Sequence, residues 1–167
     1  DGYTNAVFRL MANLKGPRKA IVGPWGHIYP QFGRPGPAID FLGEMLRWWD
    51  RWLKGEDTGI EADPMVVAWM QDSVPPRTEY DERPGRWVAE AEWPSPRVVT
   101  QNWLLGAGRN LAPEDRPVEE RTFDVQSPVS LGLASGKWCS YANAPDLAGD
   151  QRTDDGGALV LSPSEGQ

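Results

Sequence analysis

The sequence is poor in the residues from which metal cages and disulfide frameworks are built. Its 167 residues include a single histidine, His27, and a single cysteine, Cys139. One cysteine excludes an internal disulfide, and one residue of each type excludes a zinc cage of histidines and cysteines. We therefore expect no metal, and we expect any proton-transfer chemistry near neutral pH to depend on His27.

Long apolar runs and an excess of basic charge are missing as well. No apolar run approaches the roughly 18 residues that a membrane-spanning helix requires. The net charge is -7, from 17 Lys and Arg against 24 Asp and Glu, whereas proteins that bind nucleic acids cluster basic residues. We expect neither a membrane nor a nucleic acid as a partner.

What the sequence does contain is enough apolar material for a core, arranged at first in helical and buried-strand patterns. Residues 4–14 and 38–54 place apolar side chains at helical spacing, and the continuous apolar run 19–23 is typical of a buried parallel strand. The second helix carries an apolar stripe that we expect to lie in the core, formed by Leu42, Met45, Leu46, Trp49 and Leu53.

The pattern changes after Gly59, where short β-type runs alternate with Gly, Pro and Asp clusters. This alternation is typical of an antiparallel sandwich or jelly roll. Residues 142–157, rich in Asp, Gly and Ala, are predicted to form an extended loop. The predicted strands are 65–70, 86–93, 98–105, 121–125 and 158–161.

The histidine follows the first predicted strand in the stretch Gly23-Pro24-Trp25-Gly26-His27, and Asp1 precedes the first helix. If Asp1 follows a strand of the same parallel sheet, a right-handed crossover brings Asp1 and His27 to one sheet edge. There the carboxylate could hold one ring nitrogen while the other deprotonates a nucleophile. The alternative is a hydrogen-bonded histidine with a purely structural role.

A nucleophile is harder to find. A reactive serine needs a strained strand-to-helix turn of the form Gly-x-Ser-x-Gly, and none of the eight serines lies in one. Cys139 lies in a β-like region without such a turn. Because the chain begins with Asp rather than Met, we expect a fragment of a longer protein whose serine lies upstream of residue 1.

Three segments resemble landmarks of the CocE/NonD hydrolases, a family that includes cocaine esterase, α-amino acid ester hydrolases and X-Pro dipeptidyl-peptidases. They are Asp1-Gly2-Tyr3, the stretch Ile21 to His27, and the helix end Arg47 to Gly55. The resemblance implies that Asp1 is the triad acid and His27 the triad base. It also implies a substrate-binding role for Tyr3 beside the acyl pocket, with simple packing as the alternative.

The resemblance further implies an α/β fold followed by all-β structure. Residues 1–60 would be the C-terminal part of an α/β-hydrolase domain, 61–97 a connecting β region, and 98–167 the beginning of a jelly roll. The serine elbow, the oxyanion-hole region and the helical cap of the family are absent from the chain, so the fragment alone is expected to be inactive.

The expected reaction is the cleavage of an ester or amide in a small-molecule ester or a peptide, through an acyl-enzyme and without a cofactor. Whether the full-length protein forms a homodimer is left open. A different hypothesis makes residues 60–167 a non-catalytic β module that binds carbohydrate or protein through aromatic rings. Alignment of four tryptophans on one exposed face would favour it, namely Trp87, Trp93, Trp103 and Trp138.

Overall fold

The computed structural model describes residues 3–119, 121–141 and 143–163. Within it the chain divides into two compact units. The first unit comprises the chain up to Arg97 together with Gly136–Gly149, and the second comprises Val98–Ser135 and the chain from Asp150 onward. We call residues 136–149 the return segment, because there the chain comes back to the first unit. The domain boundaries expected from the sequence stay a prediction.

The two helices of the first unit lie where the apolar spacing predicts them. Helix α1 spans Thr4–Asn13. Helix α2 spans Phe41–Trp49, and the carboxylate of Asp40 caps it by accepting the Gly43 N–H at 3.0 Å. A π-helical turn, Asp50–Lys54, continues α2 until Gly55 ends it in the left-handed conformation (φ 77°).

A three-stranded mixed sheet forms the centre of the first unit. Its strands are β1 (Ala20–Val22), β2 (Val66–Gln71) and β3 (Gly85–Glu90), in that spatial order. Strand β1 pairs with β2 in parallel, and β2 pairs with β3 in antiparallel register. The strands predicted at 19–23, 65–70 and 86–93 are confirmed. Because β2 pairs with β1, the sheet contains strands from both sides of Gly59 in the sequence.

The core of this unit lies between α1 and the sheet. Met11 of α1 is buried against Ala20 and Val66. The ring of Phe8 packs on that of Trp93 with centroids 4.8 Å apart. Two short 3₁₀ turns, Pro30–Phe32 and Ile60–Ala62, complete the unit.

The prediction that the apolar stripe of α2 lies in the core is wrong for this chain. The side chains of Leu42, Met45, Leu46, Trp49 and Leu53 are all exposed. The polar side of the helix makes the contacts instead, because Glu44 and Arg47 form ion pairs with Lys19 and Asp63. Lys19 immediately precedes β1, so these ion pairs tie the helix to the sheet.

The second unit is built from short elements. Strands β4 (Trp103–Gly106) and β5 (Asn110–Pro113) are antiparallel, and β6 (Ser162–Pro163) pairs with β5 in parallel. The strand predicted at 98–105 begins only at Trp103, residues 121–125 form no strand, and the strand predicted at 158–161 lies at Ser162–Pro163.

A short helix, α3 (Arg152–Gly157), lies within the stretch that the sequence predicts to be a loop. Its sequence, Arg-Thr-Asp-Asp-Gly-Gly, carries no apolar periodicity that could have indicated a helix. No helix in the described ranges is both long and apolar enough to cross a membrane.

Candidate active site

The histidine lies on a loop that begins directly after β1. The chain turns at Gly23-Pro24, and the indole of Trp25 donates from Nε1 to the carbonyl oxygen of Pro37 at 2.8 Å. A Cβ atom on Gly23 would lie 2.4 Å from the Trp25 ring, so only glycine lets the ring fold back over the turn. The indole of Trp25 therefore supports the loop that carries His27.

The backbone around His27 is fixed from two directions. The Gly26 N–H donates to the carbonyl of Arg34 at 2.9 Å, and the His27 N–H donates to the carbonyl of Ser140 at 2.6 Å. The His27 side chain is exposed and lines an open depression of about 580 Å³ together with Tyr29 and Phe32. An imidazole held by its own backbone and open on one side can exchange protons with a bound substrate.

Aromatic side chains of the return segment contact two of the predicted site residues. The ring of Tyr141 meets the His27 imidazole edge-on, with centroids 5.2 Å apart and planes at 79°. The ring of Trp138 meets that of Tyr3 in the same manner, at 5.2 Å and 74°. The return segment therefore brings His27 and Tyr3 to one side of the first unit, although more than one hundred residues separate it from either in sequence.

A buried carboxylate organises the return segment from within. Asp146 is 2 % exposed, and its carboxylate accepts from Lys137 Nζ at 2.6 Å and from the Tyr141 N–H at 3.0 Å. These bonds, led by the one from Lys137, lower the pKa of Asp146 below its usual value. The carboxylate is therefore ionised at neutral pH.

Of the three predicted site residues, the structure describes His27 and Tyr3. Asp1 lies outside the described residues, so its hydrogen bond to His27 stays a prediction. Tyr3 is exposed and packs on Trp138, a contact that both the substrate-binding and the packing roles allow. Cys139 is a free, half-buried thiol. Among the described residues, no group of three or more His, Cys, Asp or Glu could hold a metal ion.

Sequence reasoning missed the residues that support His27 from the far end of the chain. Asp146 lies in the stretch 142–157, whose composition indicates a loop, and Ser140 and Tyr141 directly precede that stretch. Their contacts with His27 or with one another depend on the chain returning to the first unit, and no local pattern encodes that return. The one available signal is the aromatic pair Trp138 and Tyr141 within an otherwise small and polar segment.

The four tryptophans of the binding-module hypothesis have different surroundings. Trp87 packs on Trp25 and Trp69, Trp93 packs on Phe8, and Trp138 packs on Tyr3. Trp103 belongs to the second unit. Trp87, Trp103 and Trp138 are exposed, which is compatible with the binding-module hypothesis, and the alignment of the four rings on one face stays a prediction.

The chain is similar to two mycobacterial proteins, each bearing the name "Putative serine esterase", from Mycobacterium bovis and Mycobacterium tuberculosis. It is 32 % identical to each over 119 residues, which is 68 % of this chain and 17 % of the relative. The chain thus spans about a sixth of the length of these relatives. No family model matches the chain, and no solved structure matches it.

Proposed function

We propose that this chain is part of a serine hydrolase of the CocE/NonD type, in which His27 is the general base and Asp1 the acid that orients it. The observation that carries the proposal is the exposed imidazole of His27, held after β1 by its backbone bond to Ser140. The 32 % identity to proteins named as serine esterases supports the reaction class.

The proposed fold follows the same resemblance. The sheet β1–β3 with helices α1 and α2 would be the C-terminal edge of an α/β-hydrolase domain. The strands of the second unit would begin a jelly roll. The parallel pairing of β1 with β2 supports the first assignment, because catalytic residues of α/β sheets lie beyond the carboxyl ends of parallel strands.

In the proposed reaction a serine oxygen attacks the carbonyl carbon of an ester or amide, and His27 accepts the serine proton. Asp1 stabilises the resulting imidazolium, which then gives the proton to the leaving alcohol or amine. Water attacks the acyl-enzyme with the same assistance from His27 and releases the acid and the serine. The cycle uses only side chains and water, so it requires no cofactor.

The nucleophilic serine is proposed to come from a part of the protein outside this chain. None of the eight serines here follows the Gly-x-Ser-x-Gly pattern, and the relatives are much longer than the matched region. The substrate is proposed to be a small-molecule ester, with amino-acid esters and X-Pro peptides as the other members of the class. Tyr3 would contact its acyl group.

Substitution of the two proposed triad residues tests the function. In the full-length protein, His27→Ala and Asp1→Asn should each lower kcat for p-nitrophenyl acetate by about 10⁴-fold, because the serine loses its base or the base loses its orienting acid. Asp40→Asn is the matched control for the acid. Asparagine caps a helix as well as aspartate does, so that variant should stay within about twofold of wild type.

The outcome for His27 decides the proposal. Hydrolysis that survives His27→Ala at the wild-type rate would show that the base lies elsewhere. Loss of activity in His27→Ala with full activity in Asp1→Asn would keep the histidine but remove Asp1 from the triad.

A further inference from the structure

We infer that Asp146 is a positioning residue of the hydrolase site, which holds the return segment so that Ser140 and Tyr141 fix the backbone and ring of His27. The inference rests on the proposed function and extends it to a residue that neither touches the substrate nor contacts the imidazole. Its role is exerted through the return segment alone.

Both carboxylate oxygens of Asp146 are bonded within the return segment. One oxygen of Asp146 accepts from Lys137 Nζ at 2.6 Å, and the other accepts the Tyr141 N–H at 3.0 Å. The backbone adds two bonds, from the Lys137 N–H to the Asp146 carbonyl at 2.8 Å and from the Asp146 N–H to the Asn143 carbonyl at 2.7 Å. Asp146 thus bonds to the return segment on both sides of Ser140.

The return segment, closed in this way, is anchored to the rest of the first unit. The Leu147 N–H donates to the carbonyl of Thr78 at 3.0 Å. At the segment's start, Gly136 adopts a left-handed φ of 75°, and a Cβ there would lie 2.7 Å from the Asp146 carbonyl oxygen. The chain can close this tightly only with glycine at that position.

The anchored return segment carries the groups that contact His27. Ser140 and Tyr141 lie between the two ends that Asp146 joins, and they supply the carbonyl bonded to the His27 N–H and the ring packed on its imidazole. The Tyr141 N–H itself donates to the Asp146 carboxylate. A shift of about 1 Å in a group that orients a catalytic residue can cost roughly 10²-fold in rate.

The carboxylate of Asp146 is buried, although the cation that it pairs with is not. The Asp146 side chain is 3 % exposed whereas the Lys137 side chain is 65 % exposed. The lowered pKa of Asp146 shows that its hydrogen bonds outweigh the desolvation of the carboxylate, so the folded protein favours the ionised form. A buried, ionised carboxylate whose bonds order the neighbours of His27 is what a positioning role predicts.

The test compares Asp146→Ala and Asp146→Asn with wild type in the full-length protein. Titration with a fluorophosphonate counts the competent serine sites, and kcat for p-nitrophenyl acetate is then expressed per titrated site. This ratio is independent of how much protein folds. Asp154→Asn is the matched control, because Asp154 also accepts a backbone N–H, that of Ala134 at 3.2 Å, but does so in the second unit.

We expect Asp146→Ala to lower kcat per titrated site by about tenfold to a hundredfold, with KM changed by less than about threefold. Asp146→Asn should lose less, because its amide oxygen can still accept the Tyr141 N–H. Asp154→Asn should match wild type.

Two results would overturn the inference. One is an unchanged kcat per titrated site in Asp146→Ala, whether or not fewer sites are titrated. The other is an equal loss in Asp154→Asn. Either result, obtained while His27→Ala is inactive, would leave the proposed function standing, whereas an active His27→Ala variant would remove that function itself.

Discussion

The two units of this chain differ in how firmly buried side chains fix them. Among the described residues, the second unit buries only Gly106 and Ala112, both in its small sheet. The first unit buries apolar and polar side chains alike, including Met11, Ala20, Ile60, Val66, Ser95, Ser140 and Asp146. Every described residue to which we assign a role in the chemistry lies in this first unit.

Position in the sequence is a poor guide to the unit in which a residue packs. The return segment is flanked in sequence by parts of the second unit, yet it packs in the first and contacts His27 there. Precise placement of a proton-transfer group requires a rigid surrounding, and burial supplies that rigidity. The well-packed unit is therefore the one in which we expect substitutions to have large effects.

The largest expected effect on stability comes from substitution of Val66 in β2. Its side chain is 2 % exposed and packs with Ala20 of β1 and Met11 of α1. Val66→Ala removes two buried methyl groups and should lower local stability by about 2 kcal/mol. Hydrogen exchange followed by mass spectrometry on the full-length protein should show faster exchange across β1, β2 and β3.

The matched control for this substitution is Val160→Ala in the second unit. Val160 is 53 % exposed, so the same change should cost less than about 0.5 kcal/mol. If both variants accelerated exchange equally, each in its own unit, the contrast in packing between the units would be refuted.

A smaller effect is expected from the ion pairs that hold α2 to the sheet. Lys19 Nζ lies 2.8 Å from Glu44 and 2.5 Å from Asp63. The hydrogen bond from Lys19 lowers the pKa of Asp63. Burial by itself would raise the pKa of Glu44, but hydrogen bonds from Lys19 and Arg47 lower it on balance. These carboxylates are therefore more acidic in the folded protein than in the unfolded chain.

Groups with a depressed folded pKa stabilise the protein above their unfolded pKa of about 4 and lose that contribution as the pH falls below it. Lys19→Met should therefore cost roughly 1 kcal/mol at about pH 7 and much less near pH 3, since the cluster is partly exposed. Hydrogen-exchange rates in α2 and β1 at the two pH values measure this loss of stability.

The control for the ion pairs lies again in the second unit. Arg152 holds the pKa of Asp150 at about 2, but both side chains are well exposed. Arg152→Gln should leave hydrogen exchange unchanged at either pH. A Lys19→Met effect of equal size at both pH values would contradict the role assigned to Glu44 and Asp63.

The sequence predicts the elements of the first unit well, because helical spacing in α1 and α2 and the apolar runs of β1 and β2 are local patterns. Prediction from the sequence fails where tertiary contacts determine which face of an element is buried. The stripe of α2 has the pattern of a core face, yet charged contacts through Glu44 and Arg47 dock the helix. Helix α3 has no apolar period at all.

The residues of the candidate site likewise fall into those that a local sequence pattern indicates and those that it does not. His27 is visible in the sequence because it is the sole histidine and follows a strand. Asp146 is not, because its burial and its bonds to Lys137 and Tyr141 exist only once the return segment has closed. Residues that carry out chemistry leave a local signature, whereas residues that position them leave one only in three dimensions.

That His27 serves a serine located elsewhere in the protein can be tested by labelling the full-length protein with a fluorophosphonate probe. Peptide mapping should find the probe on one serine outside these 167 residues, and His27→Ala should abolish the labelling. Labelling of a serine within this chain, or unchanged labelling of His27→Ala, would contradict the claim.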